Sequence, residues 1–424
     1  TGSRGMDLRT ARHVAIGALV GALAVSLWAA PAQAAKGRAK KPARANLMTR
    51  NLSIGADLTP VFLAPSFPEF VKRAGDTWNE VQRNNFYVRA RSLAREIRSQ
   101  NAHIVGLQEA ELLRVQVPPG PGLASTVIYD FTEILLAELN RKAKTKKQCR
   151  RAAAPKGKGS ASPAAKRGKQ CYRGYRVAVT RDHTDFETPV NDTGVVDSTP
   201  PGFGATKDVR LTDRDAVIVK RGEVKTRKAA SGAFGTLLTV PSVAGTIAVV
   251  RGWVAMDARV RGGRWFHVVN THLEADDRFG SNPSTTGPQP NGGIRQAQAQ
   301  ELLAGPLRSK LPVVLVGDLN SDFPVHGDQI SPQDTLGYLA VVGGGFTDRA
   351  ITPPPFSCCI NGQMLSNPVG PGVDHRVDHI MSNSKRIRFR RGAVTSSFAD
   401  GLWSSDHFGV ASSLSGLAKA GGRK

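Results

Sequence analysis

Pro312-Val-Val-Leu-Val-Gly-Asp318-Leu-Asn320 is the stretch on which the reading of this chain turns. An apolar, Val-rich run of this length between Pro and Gly is too short for a helix and suits a strand buried on both faces. It leaves the core carrying Asp318 and, two residues on, Asn320. Residues i and i+2 of an extended chain project to the same side. A carboxylate that can hold a water or a cation therefore stands beside a carboxamide that can donate to an anionic oxygen. Gly-Asp-x-Asn is also ordinary turn chemistry after a core strand, so the segment alone leaves both readings open.

Four further segments have the same form. His103-Ile-Val-Gly-Leu-Gln-Glu109 ends a buried run in an acid, and Val268-Val-Asn270-Thr-His272-Leu delivers Asn270 and His272 on one side. Val373-Asp-His-Arg-Val-Asp378-His-Ile380 sets Asp378 between apolar residues, and Ser404-Ser-Asp406-His407-Phe-Gly-Val410 places a carboxylate directly before a histidine. An acid at a buried strand end needs a partner, and a hard divalent cation such as Mg²⁺ is the simplest one for Glu109 and neighbouring oxygens. Asp378 can accept from the His407 ring and hold it as an imidazolium. A lone histidine such as His272 can equally be satisfied by a carbonyl.

Around these segments, residues 46–54 read as a strand, 89–99 as an amphipathic helix and 103–107 as a second strand, an α/β alternation. Residues 131–142 have helical spacing; 175–179, 215–220, 246–257 and 265–270 read as strands whose succession implies antiparallel pairing. Residues 276–293 form a Gly/Pro/Ser/Asn loop and 294–303 a helix. Gly232-Ala-Phe-Gly and the stretch 237–243 read as ordinary core strand, with a membrane-contacting segment as the alternative. No fixed-period repeat or internal polar linker divides the 424 residues, so one domain is expected over 46–415.

Lys and Arg number 58 against 34 Asp and Glu, a net charge of +24 that attracts polyanions or anionic membrane surfaces. Arg9 and Arg12 precede an apolar run that ends before Ala32-Gln33-Ala34, so residues 6–34 read as a secretory signal cleaved after Ala34, with a basic linker over 35–45. From Lys142 to Lys169 basic residues recur with no acid among them, and a disordered basic insertion is expected at about 141–170. It reads either as a polyanion-binding arm or as a solvated charge run. In an exported chain a Cys149–Cys171 disulfide would staple this loop, whereas the state of the adjacent Cys358 and Cys359 stays open. No His/Cys spacing suits structural zinc.

Asn51 in Met48-Thr-Arg-Asn51, Gln108-Glu109, Asn270-Thr-His272-Leu, Gly317-Asp318-Leu-Asn320, Val377-Asp378-His-Ile and Ser405-Asp406-His407 occur in one order. In that order they resemble the endonuclease/exonuclease/phosphatase (DNase I-like) superfamily over nearly the whole mature chain. The resemblance implies an α/β four-layer sandwich, two central mixed β-sheets flanked by helices, with the site at the strand ends. It implies that Asn51 and Glu109 hold Mg²⁺, for which Mn²⁺ or Ca²⁺ could substitute, with Asp406 as a further ligand. Asp318 would orient or activate water, Asn320 and His272 would bind phosphate with Asn270 beside them, and Asp378 would orient His407. His407 would then stabilise the pentavalent centre or assist proton transfer during in-line attack of water. The Tyr and Arg residues that nucleases of the family often add cannot be aligned here; Arg214 is a candidate.

The function these readings imply is a secreted, metal-dependent phosphodiesterase acting on nucleic acid, the substrate that suits the excess positive charge. The alternative is a phospholipase C or sphingomyelinase-like enzyme, and a third reading is a catalytically silent polyanion-binding protein. No obligate protein partner is expected.

Overall fold

The computed structural model describes residues 43–145, 147–149, 171–275, 293–323, 332–348, 356–360, 365–367, 373 and 375–417. The expected signal segment, most of the 35–45 linker, most of the basic insertion and most of the 276–293 loop lie outside the described residues.

Strands β1 (Ala45–Asn51), β2 (Ile104–Gln108), β3 (Leu112–Gln116), β4 (Thr126–Asp130), β5 (Tyr175–Val190) and β6 (Lys207–Lys220) come first. They are followed by β7 (Val224–Ala233), β8 (Leu238–Ser242), β9 (Gly245–Val249), β10 (Gly252–Val260), β11 (Phe266–His272), β12 (Val313–Asp318), β13 (Thr347–Asp348) and β14 (Asp378–Ser382). Then come β15 (Arg388–Thr395), β16 (Phe398–Ala399), β17 (Leu402–Trp403) and β18 (Gly409–Ser415). One eight-stranded sheet runs β15-β18-β1-β2-β6-β3-β4 with β5 also paired to β6, and a six-stranded sheet runs β13-β14-β12-β11-β10-β7. Both sheets are mixed, because β1 pairs parallel to β2 and β11 parallel to β12 while their other pairs are antiparallel.

Period-two alternation builds the layers. In β1, Leu47 packs between the two sheets with Val217, Val254, Val268 and Val316, while its neighbour Met48 points to the opposite face. That face is covered by α1 (Thr59–Phe62), α2 (Phe67–Arg83), α3 (Phe86–Ser99) and α4 (Phe131–Asn140), through Val61, Trp78, Leu93 and Leu135 among others. On the outside of the second sheet, α5 (Gly293–Ala304) and α6 (Leu336–Gly343) bury Leu302 and Val341 against Val269 and Leu315. The result is the α/β four-layer sandwich implied by the resemblance. The helix starts are encoded locally: Ser66, Asn85 and Asp130 each accept a hydrogen bond from a first-turn N–H of α2, α3 and α4.

Three local expectations change. Helix α2 was not anticipated, although Phe70, Val71, Ala74, Trp78 and Val81 recur at helical spacing and are buried. Residues 246–257 are not one strand: Val250 bonds the side chain of Thr184 through both its N–H and its carbonyl, ending β9 before β10 starts. The 237–243 stretch is not a core strand; β8 and β9 pair only with each other, burying Leu238 and Val240 and exposing Leu237 and Val243. Cys149 and Cys171 are disulfide-bonded with Cα atoms 5.5 Å apart, and Cys358 is bonded to Cys359.

Candidate active site

Strand pairing sets the row of polar side chains. In the second sheet His272 of β11 stands opposite Asp318 of β12, and Asp318 opposite Asp378 of β14. In the first sheet Asn51 ends β1 opposite Gln108 of β2, which brings Glu109 to the same end. The turn carrying Asp406 and His407 enters β18, which pairs with β1. Asn51, His272, Asp318, Asp378 and His407 are all buried, whereas Glu109 and Asp406 are half-buried and line one cleft.

Asp318 is the centre. Its Oδ2 accepts from Asn51 Nδ2 at 3.0 Å and lies 3.6 Å from His407 Nδ1 and 3.7 Å from His272 Nε2. Burial raises its carboxyl to about 6, with His407 opposing the shift and Asp378 adding to it. His407 Nδ1 meets Asp378 Oδ2 at 2.9 Å. Burial alone would discharge that ring, but Asp378, Asp318 and Asp406 hold its pKa well above the ordinary histidine range. One carboxylate oxygen each of Asp318 and Asp378 and one ring nitrogen of His407 all lie within 4.8 Å of one another.

Glu109 is pushed up to about 7 by burial and then by the charge of Asp406, against His407, the Asn51 amide and the Ile54 N–H. Two carboxylates sharing one cleft, one of them held near neutrality, form an all-oxygen donor set that a hard divalent cation would relieve. Asn51 fits this set less simply. Its Nδ2 donates to Glu109 Oε1 at 2.8 Å while its Oδ1 accepts from the Ser53 N–H at 2.8 Å. In this orientation it meets the carboxylates as a donor, so acting as a metal ligand requires the amide turned over and the Ser53 bond lost.

Asn320 sits half-buried beside Asp318 at a φ of 44°, a left-handed turn that asparagine tolerates. One of its amide hydrogens goes to the Leu273 carbonyl at 3.0 Å, which leaves the second for a phosphoryl oxygen. Asn270 is placed elsewhere than expected. It is fully buried between the sheets, donating to the Leu107 carbonyl at 2.9 Å and accepting from Gln108 Nε2, so its amide is engaged in joining the two sheets. The Arg214 guanidinium pairs with Asp182 and Asp130 and does not line the cleft.

Sequence reasoning missed three arginines. Arg251, in the two-residue break between β9 and β10, lines the cleft and donates to His272 Nδ1 at 3.0 Å. Arg50 holds the carbonyls of Asn51 and His407, at 3.1 and 2.6 Å, and pairs with Glu96 at 3.2 Å. Arg89 holds the carbonyls of Leu52 and Ser53 at 2.7 and 2.9 Å. A cation in the same strand as the Leu47-Met48 pair, as at Arg50, is the signal that could have marked it, because buried guanidinium groups require partners. Cys358 Sγ lies 3.5 Å from His407 Nε2, a proximity no sequence feature indicated.

A family model described as Endonuclease/Exonuclease/phosphatase family matches residues 80–407. The chain belongs to that family. Membership makes it a phosphoester hydrolase of DNase I-like architecture. No curated protein sequence matches the chain. Among solved structures, a family protein from Bacteroides thetaiotaomicron is 14% identical, covering 88% of this chain and 98% of that one, with a TM-score of 0.43. A family protein from Beutenbergia cavernae is 18% identical, covering 89% and 72%, with a TM-score of 0.44. D. rerio TDP2 in complex with a single-strand DNA product is 13% identical, covering 88% and 99%, with a TM-score of 0.43.

Proposed function

We propose that this chain is an exported, Mg²⁺-dependent phosphodiesterase whose substrate carries an apolar alcohol on one side of the phosphate, as a phospholipid does. The observation that carries the substrate class is the lining of the cleft. Glu109 and Asp406 open into a cavity of about 530 Å³ walled by Ile54, Leu58, Phe62, Phe186, Leu211 and the β8–β9 residues Leu238, Val240, Ile247 and Val249. Its polar residues include the acids Glu111, Asp213 and Glu274 around Arg251. A nucleic-acid strand asks for cations along its path, whereas an alkyl chain asks for such an apolar wall. Export rests on the apolar segment and the Ala32-Gln33-Ala34 cleavage signal within 6–34.

Glu109 and Asp406 would hold the cation, which when bound supplies positive charge to the phosphoryl oxygens. The chain's own residues do the rest. Asn320 and His272 orient the phosphate by hydrogen bonds, and Asp318, with a carboxyl poised near neutral pH, accepts the proton of the attacking water. His407, kept cationic by Asp378, stabilises charge on the pentavalent centre.

Nucleic acid remains the competing substrate because of the +24 charge. The deciding experiment supplies the mature chain with sphingomyelin and phosphatidylcholine vesicles, plasmid DNA and RNA, each with Mg²⁺ or EDTA. Mg²⁺-dependent headgroup release, lost in Val240→Asp while turnover of bis(p-nitrophenyl) phosphate persists, is the expected result. Cleavage of nucleic acid with no action on lipid would overturn the apolar-substrate reading.

A further inference from the structure

We infer that Arg251 is a positioning residue that locks His272 as a neutral imidazole with its proton on Nε2, turned toward Asp318 and the reacting phosphate. Arg251 Nη1 lies 3.0 Å from His272 Nδ1 and 2.8 Å from Asp213 Oδ2. A guanidinium has no acceptor and stays protonated, so it can only donate to Nδ1. The single proton of the neutral ring then resides on Nε2, the nitrogen 3.7 Å from Asp318 Oδ2.

Backbone pairing makes the contact specific. Gly252 stands opposite His272 in the β10–β11 ladder, so Arg251 reaches Nδ1 from the adjoining position, and Arg251's carbonyl is tied to the Phe234 N–H at 2.9 Å.

The charge balance around Arg251 separates positioning from direct phosphate binding. Burial pulls the guanidinium pKa down, but Asp213, Glu274, Glu109 and Asp215 more than reverse this. With that many carboxylates about it, the guanidinium has little net attraction left for a phosphate. The groups facing the His272 ring are Arg251, His407, His183 and Asp318. Burial first, and then the charges of Arg251, His407 and His183, keep its pKa well below the usual histidine value. Two histidines at one phosphate are thereby given different tasks: His407 is cationic, and His272 is a neutral donor.

The kinetic arm of the test rests on the phosphodiesterase reading; the spectroscopic arm does not. Ring-¹⁵N-labelled full-length protein, free of metal and near neutral pH, is examined by NMR, with the His272 signals assigned by their loss in His272→Gln. The expected result is an Nε2–H tautomer that gives way to a tautomer mixture in Arg251→Gln. An Nδ1–H tautomer in the wild type, which needs no Arg251 variant to observe, would overturn the proposal. In kinetics with Mg²⁺ and bis(p-nitrophenyl) phosphate, Arg251→Gln should lower kcat about 10–100-fold with little change in KM, the usual loss for an orienting partner. It should do little in a His272→Ala background, and equal losses in both backgrounds would refute action through His272. A wild-type enzyme inert on every diester would sink the hydrolase reading and leave the tautomer measurement to decide this one.

Discussion

Asp378 Oδ2 and His407 Nδ1 meet at 2.9 Å, 29 residues apart in sequence and both withdrawn from solvent. The pair links protein stability to pH. His407 has a folded pKa raised well above its ordinary value, so its contribution is fully present below the unfolded pKa and is lost as pH rises through the folded one. Asp378→Asn should lower kcat by about 100-fold or more. In EDTA, thermal melts should show the variant's stability deficit, about 1–3 kcal/mol, on the acid side and shrinking as pH becomes alkaline. A deficit that does not vary with pH would mean that His407 is not held charged.

Glu109 behaves in the opposite sense to an ordinary ion-paired carboxylate. Its folded pKa, about 7, lies above the ordinary value of 4.5, so the metal-free protein should lose stability as pH rises between those values. Mg²⁺ should reverse this loss, raising Tm more at alkaline than at acid pH, and Glu109→Gln should weaken the pH trend, leaving the part owed to Asp318, and abolish the Mg²⁺ response. Calorimetric titration with Mg²⁺ and melts across pH check this; an unchanged Mg²⁺ response in the variant would remove Glu109 from the metal site.

The Arg50–Glu96 pair is a buried scaffold for the site loops. Arg50 is fully buried, Glu96 also accepts from Ser397 Oγ at 2.6 Å, and Arg50 Nη1 donates to the His407 carbonyl. Glu96→Ala strands a buried guanidinium and should destabilise the fold by about 3–5 kcal/mol in urea denaturation. Loss below about 1 kcal/mol would mean that water reaches the pair easily.

Gly106 of β2 lies against Asn270 and Val316 of the second sheet with no room for a side chain. A Cβ there would overlap Asn270 Oδ1 and come within 2.6 Å of Val316 Cγ2. Gly106→Ala should therefore cost about 1–3 kcal/mol in stability, the usual penalty for overpacking a filled core. Chemical denaturation reads the effect, and a neutral result would show that the sheets can separate slightly at no cost.

Local sequence determined the strand ends and the faces. The apolar run 312–316 sufficed to place Asp318 at the end of a buried strand, and the order of the short motifs sufficed for the α/β sandwich and for Glu109, His272, Asp318, Asp378, Asp406 and His407 at one end of it. Periodicity also carried α3, α4 and α5, and it was present but unread in α2. Tertiary structure alone decided the rest, because pairing register and inter-sheet contact join residues hundreds of positions apart. Asn270 looks the same as His272 in a linear reading, yet two residues along β11 it meets the first sheet and is consumed there. Arg251 carries no motif and gains its role because β9 ends where Thr184 captures Val250 and β10 begins beside His272. An apolar cleft wall from β8 and β9 is likewise invisible in composition, since the same alternating residues would fill an ordinary core strand if their edges were paired.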